Sequence, residues 1–281
     1  MWTRRFMMAS LALAAPSLAR AQFRPSKAEL AILTANVPTH RLEVKEAEGY
    51  RIFRALPRKG ATRAIYLLDG NGMFDALTPD LLASVPDLAV LGIGYPTEER
   101  FDTTRRSLDY TPPIAHGPVP DPQRPERPIG GTNLFLPRLT GPLRDAAEDG
   151  LSITTRTLSG HSYGGLFTLW TLLTAPQSFD RYAAISPSLW WGNGVLERVR
   201  PVGLARDMSL LLAYSNAEGR RGDMDDDTFR RHQAEAAERR DAFVARLRTH
   251  PHLTVKQHVF EGLAHGQTLS ASLPLSLPFA R

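Results

Sequence analysis

Ser159-Gly160-His161-Ser162-Tyr163-Gly164-Gly165 is the stretch that decides the fold. It contains the pattern Gly160-x-Ser162-x-Gly164, which alone is common by chance. Its surroundings make it specific: a strand-like run at residues 154–158 precedes it and a helical pattern at 165–174 follows. Strand, sharp turn and helix around a serine make a nucleophile elbow. The turn is strained and crowded, so it needs residues without side chains on either side. Ser162 then stands beyond the strand end, near the positive end of a helix.

Outward from the elbow, strand patterns alternate with helix patterns. Residues 41–48 and 50–56 read as two early strands joined at Gly49. Residues 64–68 and 88–95 are continuous apolar runs that suit strands buried on both faces. Further strands are expected at 182–185, 209–214 and 253–260. Helical patterns cover 74–84, 134–148, 165–174 and 227–249. This alternation predicts an α/β fold, a mostly parallel sheet with helices on both faces. Residues 111–131 break the rhythm with Pro112, Pro113, Pro118, Pro120, Pro122, Pro125 and Pro128. Proline excludes helix interior and central strand there, leaving a lid, a wall of the site or a plain insertion.

The chain has 281 residues, 42% of them apolar and 22% charged, as in a soluble globular protein. It has no cysteine, which removes disulfides, thiolate metal sites and a cysteine nucleophile. At the start, Arg4 and Arg5 precede an apolar run at 6–18 and then Ala19-Arg20-Ala21. That order predicts a signal peptide over 1–21, followed by one domain over 22–281, placed in the periplasm or secreted. The Thr3-Arg4-Arg5 start leaves Sec and twin-arginine export both open. The formal charge of +5 falls by three when Arg4, Arg5 and Arg20 leave with that segment. So small an excess argues against a nucleic-acid partner. No later run is long and apolar enough to span a bilayer. Composition says nothing of the oligomeric state.

A serine hydroxyl needs a base. His265, in Glu261-Gly262-Leu263-Ala264-His265-Gly266, lies just past the last strand, from where it can reach back to Ser162. His40, His116, His232, His250, His252 and His258 lie in less suitable places. The acid should follow the strand at 209–214. Glu218 is the best placed, with Asp223, Asp225, Asp226 and Asp227 behind it; a Ser–His pair without an acid is the alternative. The oxyanion hole should use the backbone N–H of Tyr163 and a second from Asp69-Gly70-Asn71-Gly72, most naturally that of Asn71. Trp190 and Trp191 offer a flat aromatic pair for a ring-bearing ligand. Arg106 could pair an anionic ligand, or else Asp109. No metal and no organic cofactor is needed.

Five motifs occur in order: Tyr66-Leu-Leu-Asp-Gly-Asn71, Arg106-Ser-Leu-Asp-Tyr-Thr-Pro112, Gly160-His-Ser-Tyr-Gly-Gly165, Ser186-Pro-Ser-Leu-Trp-Trp191 and Gly262-Leu-Ala-His-Gly266. Together they resemble the putative-esterase (esterase D-like) branch of the α/β hydrolases over about residues 41–273, and its periplasmic trilactone siderophore esterases above all. The resemblance implies an α/β-hydrolase fold, Ser162 as nucleophile and His265 as base. It implies a substrate among catecholate siderophore esters, with any iron arriving on the substrate. Some periplasmic members resemble a Ser–His dyad. The proline-rich 111–131 and the loose match of Asn216-Ala-Glu218 depart from the family pattern. A general carboxylesterase, an acyltransferase of the same fold and a non-catalytic exported binding protein are the other readings.

Overall fold

The computed structural model describes residues 27–114, 117–122, 124–219 and 224–281. The expected signal segment and His116 and Asp223 lie outside them. Among the described residues ten strands form: β1 (His40–Ala47), β2 (Tyr50–Pro57), β3 (Arg63–Leu68), β4 (Leu88–Gly94), β5 (Val119–Asp121), β6 (Arg124–Ile129), β7 (Thr155–His161), β8 (Arg181–Ile185), β9 (Met208–Ser215) and β10 (Leu253–Phe260). Eight of them make one sheet in the order β1-β2-β4-β3-β7-β8-β9-β10. The β1–β2 and β2–β4 pairs are antiparallel; the other neighbours run parallel. With helices over both faces, this is the α/β-hydrolase fold.

The helices are α1 (Gly70–Asp75), α2 (Pro79–Ala83), α3 (Thr103–Tyr110), α4 (Thr132–Thr140), α5 (Pro142–Glu148), α6 (Tyr163–Thr174), α7 (Trp191–Arg198), α8 (Asp226–Leu247), α9 (Gln267–Ala271) and α10 (Leu273–Phe279). Side chains alternate across each strand, and both sides are buried. In β3, Ala64, Tyr66 and Leu68 join the core under α3, α4, α5, α6 and α8, while Ile65 and Leu67 join the core under α1, α2, α9 and α10. That two-sided burial is why the central strands read as unbroken apolar runs. No helix among the described residues is long and apolar enough to cross a membrane.

Three sequence expectations need correction. The helix expected at 74–84 is two pieces, because Pro79 opens α2 at its first position behind the Thr78 cap. The helix expected at 134–148 is also two, broken at Gly141-Pro142, where proline again takes the first position. The proline-rich 111–131 is not wholly irregular: it contains the two-stranded β5–β6 hairpin. Pro120 faces Pro128 there, so neither missing amide costs a central sheet a hydrogen bond. Gly130 N–H donates to the Thr111 hydroxyl at 2.8 Å and Gly131 N–H to the Leu108 carbonyl at 2.8 Å, which ties the hairpin's base to the end of α3.

Candidate active site

Strand β7 ends at His161, and the chain turns through Ser162 into α6. Ser162 has φ 58° and ψ −114°, a conformation rare for any residue with a side chain. Backbone bonds hold it there. Its N–H donates to the Ile185 carbonyl at 3.0 Å, and its carbonyl accepts from Leu166 N–H at 2.9 Å and from Ser188 N–H at 3.3 Å. The turn is so tight that residues 160 and 164 touch. A Cβ at Gly160 would overlap the Gly164 carbonyl and lie 2.9 Å from its Cα. Gly160→Ala must therefore push apart two backbone segments that nothing flexible separates. The expected result is a melting temperature lowered by about 2–8 °C, corresponding to about 1–3 kcal/mol, together with loss of hydrolysis because Ser162 shifts. Thermal melting and an ester assay on the variant check both.

The chain brings His265 and Glu218 to this serine. His265 follows β10, and its Nε2 lies 3.0 Å from Ser162 Oγ. Glu218 sits in the turn after β9, and its Oε2 lies 3.0 Å from His265 Nδ1. The other carboxylate oxygen accepts the Ser186 hydroxyl at 2.5 Å and Ser215 N–H at 2.7 Å. Burial works to raise the Glu218 pKa, but the bonds from His265 and Ser186 outweigh it and hold the carboxyl below its usual value. An ionised carboxylate can only accept, so Nδ1 of His265 carries a hydrogen and Nε2 is free to accept from Ser162. Asn216 pins the two loops together, its side chain bonding Glu261 and accepting Gly262 N–H at 2.8 Å. Of the other acids weighed from sequence, Asp225 caps α8 through Thr228 N–H and Asp227 pairs with Arg230.

The amides of Tyr163 and Asn71 lie in the first turns of α6 and α1, where a helix has no acceptor of its own for them. Gly70-Asn71-Gly72 is thus helix rather than plain turn. The Asn71 side chain is buried and fully engaged: it accepts Tyr95 N–H at 2.9 Å and donates to the Tyr95 and Thr97 carbonyls at 3.1 Å. Only its backbone N–H is left to offer.

Two other expectations change. Arg106 does not pair with Asp109. It grips Asp69 with both arms of its guanidinium, at 2.9 and 2.8 Å, while Asp109 accepts the Tyr50 and Tyr95 hydroxyls at 2.9 and 3.0 Å. Burial pushes Asp109 up to about 6 even so. Trp190 and Trp191 do not form one flat surface. Trp191 is core, whereas Trp190 is 64% exposed and faces Tyr163 with ring centroids 6.4 Å apart. The guanidinium of Arg106 lies 5.5 Å from the Tyr163 ring. The Tyr163 ring, next in sequence to Ser162, thus lies between an exposed aromatic and a largely buried cation.

The structure also adds residues that the sequence reading left without a role. Ser188 Oγ is 3.4 Å from Ser162 Oγ. Asp69, quoted in a motif but unassigned, is the anchor of Arg106. Ser186, Thr268 and His161 surround Glu218 and His265 from behind. Burial pushes His161 down to about 3, and repulsion from His265 adds to it, so this ring stays neutral. The position of Ser186-Pro187-Ser188 just beyond a strand next to the elbow's own strand was the available signal.

Residues 129–265 match the family model described as "Putative esterase". A siderophore enterobactin esterase from Emericella nidulans is 40% identical over 148 residues, covering 47% of this chain and 48% of that protein. An apo-salmochelin esterase from Escherichia coli is 34% identical over 186 residues, 62% of this chain and 58% of that one. The match thus spans about half the length of these curated relatives. Among solved structures, the enterobactin and salmochelin hydrolase IroE superposes with a TM-score of 0.71 at 26% identity, over 88% of this chain and 97% of that one. The resemblance to the esterase D-like branch of the α/β hydrolases holds, and the likeness runs to siderophore esterases.

Proposed function

From that likeness we propose that this chain is an exported serine esterase that hydrolyses carboxylic esters, with catecholate siderophore trilactones as its substrates. The observation that carries the proposal is the line from Ser162 Oγ through His265 to Glu218, with both links at 3.0 Å. His265 takes the Ser162 proton as the hydroxyl adds to the ester carbonyl. The amides of Tyr163 and Asn71 hold the oxyanion that forms. The alcohol leaves with the proton from His265, and an acyl group remains on Ser162. Water then adds to the acyl carbon, giving its proton to His265; the bond to Ser162 Oγ breaks, that oxygen takes the proton back from His265, and the free acid departs. Glu218 keeps the imidazole in the right tautomer and offsets its charge.

Catechol rings find a flat partner in Trp190 and a second ring in Tyr163. Asp69 takes the Nε and Nη2 donors of Arg106, so Arg106 serves this substrate by shape and field more than as a free anion receptor. Export by way of residues 1–21 belongs to the same proposal and rests on their sequence alone.

The test is turnover of a ferric catecholate trilactone beside a short p-nitrophenyl ester by the mature protein. The expected result is a kcat/KM at least about tenfold higher for the trilactone, a preference of roughly 1.4 kcal/mol in the transition state. Cleavage of the small ester alone removes the siderophore reading and leaves a general esterase. Ligand binding without turnover of either leaves a binding protein.

A further inference from the structure

Behind the imidazole lies a second layer of hydrogen bonds. Thr268 Oγ1 is 2.7 Å from the backbone carbonyl of His265 and 2.8 Å from Ser186 Oγ. His161 Nε2 is 2.9 Å from the same His265 carbonyl and 3.1 Å from Thr268 Oγ1. Ser186 Oγ is 2.5 Å from Glu218 Oε1. The protons can be assigned. His161 is neutral and its Nε2 faces a carbonyl, so Nε2 carries its one hydrogen. Glu218 is an acceptor only, so Ser186 must spend its single proton there. Thr268 then has one proton for two acceptors, the His265 carbonyl and Ser186, while it accepts from His161. Thr268 is therefore the point at which the loop of the base meets the support of the acid.

Ser186 carries an independent mark. Its φ is +44°, a conformation that non-glycine residues rarely adopt. It is buried, and its N–H is held by the Ala213 carbonyl at 2.7 Å. Glycine would occupy this position without strain. A serine kept where glycine fits better points to a use for its hydroxyl.

We propose that Thr268 and Ser186 are positioning residues that fasten His265 and Glu218 to each other from behind, so that imidazole and carboxylate face Ser162 as one rigid unit. The proposal rests on the roles given above to Ser162, His265 and Glu218. A hydroxyl missing from either residue frees one side of the pair, and small misplacements of a reacting group are costly in rate.

Ser186→Gly separates positioning from structure. It removes the hydroxyl and relieves the strained φ, so the melting temperature stays level or rises. If the hydroxyl positions Glu218, kcat nevertheless falls by about 10–100-fold with KM unchanged. Thr268→Val should lower kcat by a similar factor, Thr268→Ser should restore it, and the two deletions combined should cost no more than the larger alone. The downfield proton resonance of His265 Nδ1–H supplies a readout independent of turnover. It should be sharp in the unaltered protein and in Thr268→Ser, and broadened or lost in Ser186→Gly and Thr268→Val. Unchanged resonance and unchanged kcat in both deletions overturn the proposal. A fall in kcat that only follows a fall in melting temperature, or that Thr268→Ser does not restore, overturns it as well. Absence of turnover in the unaltered protein would instead sink the esterase reading, and the resonance would still decide this one.

Discussion

Replacing Ser162 by alanine is expected to lower kcat for ester hydrolysis by about 10⁵–10⁶-fold, with KM little changed. The variant loses one oxygen atom and nothing that holds the elbow. The bonds fixing residue 162 run through its backbone, to Ile185 and from Leu166 and Ser188, and its φ of 58° accompanies the close packing of Gly160 on Gly164. Alanine at this φ carries the same strain as serine, so the melting temperature should move little. What disappears is the only hydroxyl within hydrogen-bond reach of His265 Nε2 among the described residues. Ser188 is a neighbour of Ser162 at 3.4 Å, but it has no listening base of its own and cannot substitute. The amides of Tyr163 and Asn71 remain, and such donors with binding alone sustain a residual rate about 10³–10⁴-fold over water. Steady-state hydrolysis by the unaltered and Ser162→Ala proteins, with labelling by a fluorophosphonate, measures the effect. A fall of less than about tenfold would place the chemistry on some other group. Equal ligand affinity with no turnover in either protein would favour the binding-protein reading, and transfer to an added alcohol in preference to water would favour an acyltransferase.

Much of this architecture could be read before any coordinates because it is locally encoded. The strands β3, β4, β8 and β9 announce themselves as apolar runs, since they are buried among core residues. The elbow is legible because its requirement is local as well: the chain at 160 packs against the backbone of Gly164 so closely that a Cβ at 160 would overlap it. The breaks at Pro79 and Gly141-Pro142 are equally local, but a longer apolar periodicity runs across them and masks them in the sequence, although proline opens a helix more readily than it continues one. Other features depend on pairs far apart in the chain. Arg106 and Asp69 are 37 residues apart, so sequence proximity suggested Asp109 in its place. Glu218 and His265 are 47 apart, and only the parallel pairing of β9 with β10 brings their loops together. Trp190 and Trp191 are adjacent, but a helical start sends neighbours in different directions, one to solvent and one into the core. Thr268 could be found only by tracing hydrogen bonds, because a threonine in the first turn of a short helix is unremarkable in sequence.

His265→Ala is expected to reduce kcat by a factor close to that of Ser162→Ala, again about 10⁵–10⁶. In the proposed mechanism the two residues act as a unit. Without a base the hydroxyl keeps its proton, and without the hydroxyl the base has nothing to activate, so the double variant should be no slower than either single one. The fold should tolerate the change. The loop at 265 is held through its backbone carbonyl by His161 and Thr268 and through Ala264 N–H, which the Gln267 side chain accepts at 2.8 Å. Glu218 keeps Ser186 and Ser215 as donors after the imidazole is gone, so its charge is not left bare. Removal of the ring opens a space that borders solvent, because the His265 side chain is 42% exposed. Free imidazole can enter that space and supply the missing base. Added imidazole should therefore recover a measurable part of the lost rate in His265→Ala and none in Ser162→Ala, where the nucleophile itself is missing. Hydrolysis measured against imidazole concentration in both variants makes the comparison. Equal recovery in the two would show that imidazole attacks the ester directly and would withdraw support from His265 as the base. Recovery confined to His265→Ala ties the proton transfer to the imidazole that Glu218 orients.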